Sequence, residues 1–457
     1  MLETQKKEER SLRNRLVHEK EAKPADKAIQ PLGDAVKIIE GSKPKKLLFI
    51  EANLDGTIGG SHLLLLDLIK FLDRKKFDPY VVFFQENTLI PEFKAICPVF
   101  VFNKMNRLNI RKRFPSMISR TRLLFGAMIL FQKMFNIMVY FIPDLVKTIW
   151  FLWKNHIDLV HMNNAPYLPD WLIICKLLGI KCIAHLRGNW VAKPLSRRLV
   201  RHYDAVISMS NSVTNFMRGQ GVETKNFVVI YDGIDIGAVK EIRERNGEQS
   251  SKKKGSDQQV VLGVVGNIKP WKGQHVLIEA IGLLKPSFPS VKCLIVGDVS
   301  NLKEDQAYFE RLNELVRQYG LEKNVVFTGF RKDVYDVVSG FEILVHTSVE
   351  PEPFGRVILE GMILRKPVIA TAHGGPLEII DDNINGYLVA PNSPERLAER
   401  IEYLIRNPDI REKIGEQAKK RVEESFDMKK NVKEIELLYR RLLNFGRSEI
   451  LGNSGAR

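Results

Sequence analysis

Val260-Val-Leu-Gly-Val-Val265-Gly266-Asn267-Ile-Lys269-Pro-Trp-Lys272-Gly273, followed by Gln274–Leu284, is the stretch on which the fold turns. Its first six residues are apolar or small, too short a run for a buried helix. They read as a strand covered on both faces. Gly266 and Gly273 bracket a polar loop, and Gln274–Leu284 then reads as an apolar helix. Strand, loop and helix in this order mark a βαβ unit with a parallel sheet.

The unit recurs on both sides. Downstream, Cys293–Gly297, Val325–Thr328, Ile343–His346, Val368–Thr371 and Tyr387–Val389 read as strands, and Pro394–Leu443 as helices only. Upstream, Lys46–Ile50, Tyr80–Phe84, Asp158–Met162, Lys181–His185, Ala205–Met209 and Phe227–Tyr231 read the same way. Between the two series, Ala238–Gln259 carries Arg-Glu-Arg-Asn-Gly, paired serines and Lys252-Lys253-Lys254-Gly255, a polar surface segment. The expectation is an α/β protein. Two doubly wound Rossmann-like domains, residues 46–237 and 259–430, face each other across a cleft, with a linker at 238–258. A C-terminal helix and tail, 431–457, pack back on the first domain. Ligands in such sheets bind at the carboxyl ends of the strands, so the cleft is the expected site.

The length of 457 residues fits two or three domains and a sizeable core. Residues 1–46 hold twelve basic and eight acidic side chains without apolar periodicity, so 1–45 is expected to be a disordered tail. Met1 is followed by mixed charges and no apolar run, which predicts no secretory leader. Cys97, Cys175, Cys182 and Cys293 are scattered, with no CxxC pair, and read as reduced, buried thiols of a cytosolic chain. Lys and Arg number 70 against 54 Asp and Glu, a net charge of +16 that favours an anionic partner.

Much of that excess is local. Between Lys104 and Lys154 there are ten Lys or Arg and one acid, Asp144, a difference of +9. The same segment contains Leu123–Ile142, nearly long enough for a bilayer, which needs about 20 apolar residues. Arg122, Lys133, Asn136, Tyr140 and Lys147 recur at helical spacing as one polar stripe, and Pro143 interrupts the run. This pattern favours a helix lying in the interface of an anionic membrane, through 104–154, over one that spans it. The bland alternative is an amphipathic helical pair packed on the first sheet. Nucleic acid is not expected as a partner, because the basic residues are interleaved with long aliphatic runs.

The chemistry-bearing motifs exclude as much as they suggest. Neither GxGxxG nor GxxxxGK[ST] occurs, which removes the usual phosphate loops of dehydrogenases and P-loop enzymes. No Asp-x-Asp pair stands at a strand end, so no metal site is expected. What does occur is Glu352-Pro-Phe354-Gly355-Arg356-Val357-Ile-Leu-Glu360, directly after the strand Ile343–His346. Glu352 is expected on a loop and Glu360 inside a new helix. One acid can then reach a sugar and the other a neighbouring ribose, with a phosphate at the free N–H groups between them. Two acids at this spacing are otherwise a solvated helix face. After the opening strand, Gly266 permits close ligand approach, and Lys272 before a helix start can neutralise a pyrophosphate. Alone it would read as a solvated lysine. His373-Gly374-Gly375-Pro-Leu-Glu378 follows the strand Val368–Thr371 and again opens the backbone to a ligand, or is a simple strand-to-helix turn.

In this order and after successive strands, Gly266…Lys272-Gly273, Glu352-x-Phe-Gly-x4-Glu360 and Gly374-Gly375-x-x-Glu378 resemble the retaining glycosyltransferases of family 4, with the GT-B fold. The resemblance covers roughly residues 44–445. In the first half it rests on Gly59-Gly60 after the first strand, His185 at the end of a middle strand, and the turn Asp232-Gly233-Ile234-Asp235. It implies a hexosyltransferase whose substrate is a nucleoside diphosphate sugar, without a cofactor; the absent Asp-x-Asp pair adds metal independence, and the interfacial segment 104–154 adds a sugar or lipid-linked acceptor of the cell envelope, served from the cytoplasmic face of the membrane. It implies that Lys272 binds the pyrophosphate, that Glu352 and His185 lie at the transferred sugar, and that Glu360 holds the ribose. Phe354 and Gly355 shape the sugar loop, with Arg356 and Val357 opening the next helix. Gly329 and Phe330 lie beside the base, and Gly59 and Gly60 approach the phosphates or acceptor. One departure is Asn267, where the family often has an arginine that assists the lysine; Arg356 or Lys269 are candidate replacements. Another is Gly361, where alanine is usual. Two alternatives remain beside this reading, a sugar-nucleotide 2-epimerase of the same fold and a non-catalytic membrane-docked protein.

Overall fold

The computed structural model describes residues 43–52, 59–102, 122–164, 168–192, 194–222, 224–245 and 260–444. The expectations for the N-terminal tail, for most of the linker and for the basic residues between 103 and 121 lie outside them. The first half is built on a seven-stranded sheet, β1 (Lys45–Glu51), β2 (Phe77–Phe83), β3 (Val99–Val101), β4 (Leu159–Asn163), β5 (Lys181–Leu186), β6 (Ala205–Ser208) and β7 (Phe227–Val229). Its spatial order is β3-β2-β1-β4-β5-β6-β7, and each of its pairings is parallel. The second half has six strands, β8 (Val261–Val265), β9 (Lys292–Val296), β10 (Val325–Gly329), β11 (Ile343–His346), β12 (Val368–Thr371) and β13 (Tyr387–Val389). They are also parallel, in the order β10-β9-β8-β11-β12-β13.

The order of each sheet reverses once, between β1 and β4 and between β8 and β11. A crevice opens at the carboxyl ends of strands where neighbouring crossovers leave in opposite directions. The strands are long enough in Val, Ile and Leu to be covered on both faces. Leu47–Ile50, Val81–Phe83 and Ile343–Val345 are fully buried, as parallel sheets require.

Two local expectations are revised. Residues 238–245 are not linker but belong to a helix, Ile236–Arg245. The Asp235 side chain accepts a hydrogen bond from the Ala238 N–H (3.0 Å) and so starts it. Buried Val239 holds it to the core. Pro143 does not end the apolar helix either. Arg122–Asn136 passes into a π-turn, Ile137–Phe141, and on into Ile142–Asn155 with Pro143 in its first turn. The π-turn just ahead of Pro143 is where the continuous helix absorbs the proline's missing N–H.

The chain returns to the first half after the helix Pro408–Ser425. Ile234 exchanges backbone hydrogen bonds with Phe426 and Met428 (both 3.0 Å). The last helix, Met428–Leu442, then lies beside the helix Gly60–Phe71, where Glu436 accepts from the Asp73 N–H (2.7 Å).

Candidate active site at the strand ends

The second-half site starts at Gly273, whose φ is +66°. A side chain there would collide with the Thr347 carbonyl, so glycine lets the loop after β8 press on the loop after β11. Hydrogen bonds join the two. Thr347 Oγ1 donates to the Lys272 carbonyl (2.9 Å) and the Val349 N–H to that of Trp271 (2.8 Å). Lys272 is thereby fixed at the carboxyl end of β8, with its Nζ 4.1 Å from the centre of the Trp271 ring.

Lys272 and Glu352 meet. Glu352 Oε2 receives Lys272 Nζ at 2.7 Å, Ser348 Oγ at 2.8 Å and lies 3.0 Å from His346 Nε2. Burial alone would push this carboxyl upward. The Lys272 ammonium and the His346 hydrogen bond outweigh it and hold the carboxyl well below the ordinary carboxylate range. Lys272 keeps 19% of its side-chain surface exposed and Glu352 9%, so the ammonium is the wetter partner of the pair. The third motif closes around the same residue. Gly375 N–H donates to the Glu352 carbonyl (2.7 Å), and a side chain at Gly374, with φ +79°, would strike that carbonyl.

Gly355, Arg356 and Val357 open the helix Arg356–Ile363, on which Glu360 follows. Arg356 lies between two acids, with Nε 3.2 Å from Glu360 and NH2 3.4 Å from Asp67 of the first half. Burial pushes the carboxyls of Glu360 and Asp67 upward, against the pull of Arg356. Arg356 therefore serves Glu360 and the cleft wall, and Lys269 faces Asp305 at 3.9 Å. Asn267 is exposed beside Gly266. Gly361 has a packing reason, since a side chain there would run into Leu344 of β11.

Other expected residues are placed apart. Phe354 is fully buried, stacked on Tyr231 (5.9 Å between centroids) and set edge-on to Phe426, so it anchors the loop. Phe330 is 66% exposed beside Gly329 at the end of β10. Gly59 and Gly60 are exposed at the start of the helix Gly60–Phe71, and a side chain at either would meet open space. His185 ends β5 in a buried cluster of its own.

The two halves touch across the cleft through groups the sequence reading did not assign. Asn189 Nδ2 donates to the Pro351 carbonyl (2.9 Å) and Ser210 Oγ to that of Pro353 (2.6 Å). Glu378 takes the N–H of Asn211 (2.9 Å) and of Ser212 (2.8 Å), capping the helix Asn211–Gly219 of the other half. Beneath the first-half strand ends, Arg187 pairs with Asp232 and donates to Asn163 (2.7 Å), whose amide reaches Glu51. His346 and Ser348 could have been found as strand-end residues just ahead of Glu352, and Arg187 as the cation two positions after His185. Asp67 carried no signal.

Comparison with known proteins places these features in a family. Residues 246–421 match the model described as "Glycosyl transferases group 1", and residues 58–237 match "Glycosyltransferase Family 4". The uncharacterized glycosyltransferase MJ1178 of Methanocaldococcus jannaschii is 30% identical over 299 residues, which are 63% of this chain and 76% of that protein. MJ1069 of the same organism is 30% identical over 256 residues, 55% of this chain and 62% of its own, and the putative glycosyltransferase EpsD of Bacillus subtilis 25% over 265, 57% and 65%. The chain thus spans under two thirds of the length of these last two. Anabaena HepE, crystallised with UDP and glucose, shares the fold at a TM-score of 0.67 and 24% identity, covering 86% of this chain and 99% of its own. A Rickettsia africae glycosyltransferase does so at 0.70 and 22%, covering 88% and 99%. With two parallel sheets in the GT-B arrangement, three motifs at the ends of β8, β11 and β12, and these matches along both halves, the chain belongs to the group 1 glycosyl transferases.

Proposed function

We propose that this protein transfers a hexose from a nucleoside diphosphate sugar to an acceptor hydroxyl, with retention at the anomeric carbon and without a metal ion. The observation that carries the reading is the contact of Lys272 with Glu352 at the switch point between β8 and β11. A partly exposed ammonium at this point suits a diphosphate, and the carboxylate that orients it faces the same loop. In this reading Lys272 and the first N–H groups of Arg356–Ile363 hold the diphosphate. Glu360 takes the ribose, Phe330 lies against the base, and Glu352 and His185 meet the transferred sugar. The bond from the anomeric carbon to the phosphate oxygen breaks as the acceptor oxygen attacks from the same face. The acceptor proton passes to the leaving diphosphate. Preorganised positive groups of this kind are worth about 3–4 kcal/mol each to the transition state.

The HepE complex with UDP-glucose makes a UDP-hexose the first donor to test. CapM of Staphylococcus aureus, named for capsular polysaccharide biosynthesis and 29% identical over 186 residues, supports an envelope glycan as acceptor. A panel of UDP-, GDP- and ADP-sugars read by thermal shift tests the donor. A ligand at 100 times its dissociation constant adds about 2.7 kcal/mol of stability. Turnover should survive excess EDTA, and loss on chelation with recovery on manganese would contradict the metal-free step. An epimeric product from donor alone would favour the epimerase.

The same reading places the protein on the inner face of a membrane. Residues 128–155 form a helix long and apolar enough to cross a bilayer, yet it carries Lys133, Asp144, Lys147 and Lys154. Its last turns pack Phe151 and Leu152 into the core, but many of its other apolar side chains point outward, with Phe131 63% and Trp153 70% exposed, while Gln132, Asn136 and Tyr140 are half-buried. That inverted face, flanked by basic residues, fits an anionic interface, where each Lys or Arg adds about 1 kcal/mol. Wild-type protein should sediment with anionic vesicles at low salt, and reversal of Arg111, Lys112 and Arg113 to Glu should release it. A wild-type protein that stays in the supernatant would rule the membrane out.

A further inference from the structure

His185 is not alone in its pocket. β4 and β5 are adjacent and parallel, with His161 opposite Ile183 and Asn163 opposite His185. Side chains alternate along a strand, so His161 and His185 share one face of the sheet, two residues apart in register. His161 Nε2 lies 3.1 Å from His185 Nδ1, and His161 Nδ1 lies 2.6 Å from the hydroxyl of Tyr439. Tyr439 belongs to the last helix, Met428–Leu442, and arrives in this pocket 278 residues after His161. All three side chains are buried. The far nitrogen of the chain, His185 Nε2, is buried and has no hydrogen-bond partner.

We propose that Tyr439 and His161 are positioning residues that hold His185 as the tautomer with its proton on Nε2, a free donor kept ready for a hydroxyl oxygen of the transferred sugar. The proposal rests on the sugar-transfer reading above for what binds at Nε2, and on the chain of contacts alone for the tautomer.

The tautomer follows from proton counting. Burial, and after it the nearby Arg187 guanidinium, pushes His161 down to about 3 and His185 well below its usual value, so at neutral pH each ring carries one proton. Two arrangements then satisfy both contacts. In one, Tyr439 donates to His161 Nδ1, His161 Nε2–H donates to His185 Nδ1, and the His185 proton sits on Nε2. In the other, every bond runs backward: His185 Nδ1–H donates to His161, His161 Nδ1–H donates to the Tyr439 oxygen, and Nε2 is bare. The second arrangement leaves the phenolic hydrogen in a pocket walled by the rings of Phe49 and Phe77, where His161 is the one polar contact of that hydroxyl among the described residues. It also leaves the buried Nε2 lone pair without a donor, so two buried polar groups go unpaired against the single Nε2–H of the first arrangement; each such group is costly, and the first arrangement wins.

The test is Tyr439→Phe, which keeps the ring against Phe49 and Phe77 and removes only the hydroxyl. In nitrogen-15 imidazole spectra of the whole protein, with the His185 signals identified by their loss in His185→Gln, the wild type should show a protonated Nε2 and a bare Nδ1. Tyr439→Phe should move His185 toward the opposite tautomer. In turnover, Tyr439→Phe should lower kcat/KM by about 5- to 20-fold in the wild-type background and by less than about 2-fold in the His185→Gln background. A merely structural hydroxyl would cost the same factor in both. A wild-type His185 protonated on Nδ1 overturns the proposal even if the variant fails to fold, and so does an unchanged spectrum in a folded variant. If no nucleotide sugar is turned over by the wild type, the sugar-transfer reading fails while the spectra still decide the tautomer.

Discussion

The two switch points are built from opposite materials. In the second half, the polar groups at the strand ends are contributed by loops within a hundred residues of one another, and the ammonium that matters stays partly in solvent. In the first half, Glu51, Asn163, Arg187, Asp232, His161 and His185 come from four separate segments and Tyr439 from a fifth, and the contacts among them are buried. A charge that must greet a ligand can be left wet and cheaply paired. A charge that must fix a geometry is desolvated, and it is then held by every partner it has. The contrast predicts that substitutions in the first-half network fall first on stability and those in the second-half site on binding and turnover.

The largest expected effect is Arg187→Ala. It strands Asp232 beneath the sheet and removes a bond to Asn163, so unfolding free energy should drop by about 3–5 kcal/mol in urea titration. A loss below about 1 kcal/mol would erase the contrast. Next, Glu360→Ala should weaken the donor by about 1.5–3 kcal/mol through loss of charge-assisted bonds to the ribose, read by calorimetry. Unchanged donor affinity would remove Glu360 from the site.

Acid should separate the two regions. His161 and His185 refuse a proton in the fold that the unfolded chain accepts below about 6.5. Their share of stability is whole above that value and declines as pH falls below it, for His161 through the window down to about 3, by about 1.4 kcal/mol per pH unit for each ring that stays neutral. Glu352 is held ionised. Its share is whole above the unfolded value of about 4.3 and is lost only as pH falls below it. Chemical denaturation between pH 7 and 5 should therefore show a loss that His161→Gln reduces and Glu352→Gln does not. The smallest effect expected is that of Glu378→Gln, about 1 kcal/mol, because the amide still accepts one N–H at the helix Asn211–Gly219 but no longer carries charge to its positive end.

The same contrast explains what could be read from sequence. Gly266, Lys272, Glu352, Glu360, Gly374 and Gly375 stand in short runs directly after apolar strands, so spacing alone brings them to one edge of a sheet. The strands themselves were legible because burial on both faces leaves continuous Val, Ile and Leu. Tyr439 and His161 gave no sign, since their meeting depends on where the chain crosses back at Phe426–Met428. Arg356 looked available for a phosphate because Asp67, its partner across the cleft, lies 289 residues earlier. The helix Ile236–Arg245 was hidden by its charges, with Val239 a buried contact that marks its inner face.

The central claim is that Lys272 holds the diphosphate of a sugar nucleotide. Single-turnover measurement of sugar release from UDP-glucose, or from whichever donor the thermal panel selects, by wild type and by Lys272→Ala tests it most directly. The account predicts a rate lower by about 100- to 1,000-fold in the variant, with folding largely retained. A variant that turns over the donor at the wild-type rate would contradict it.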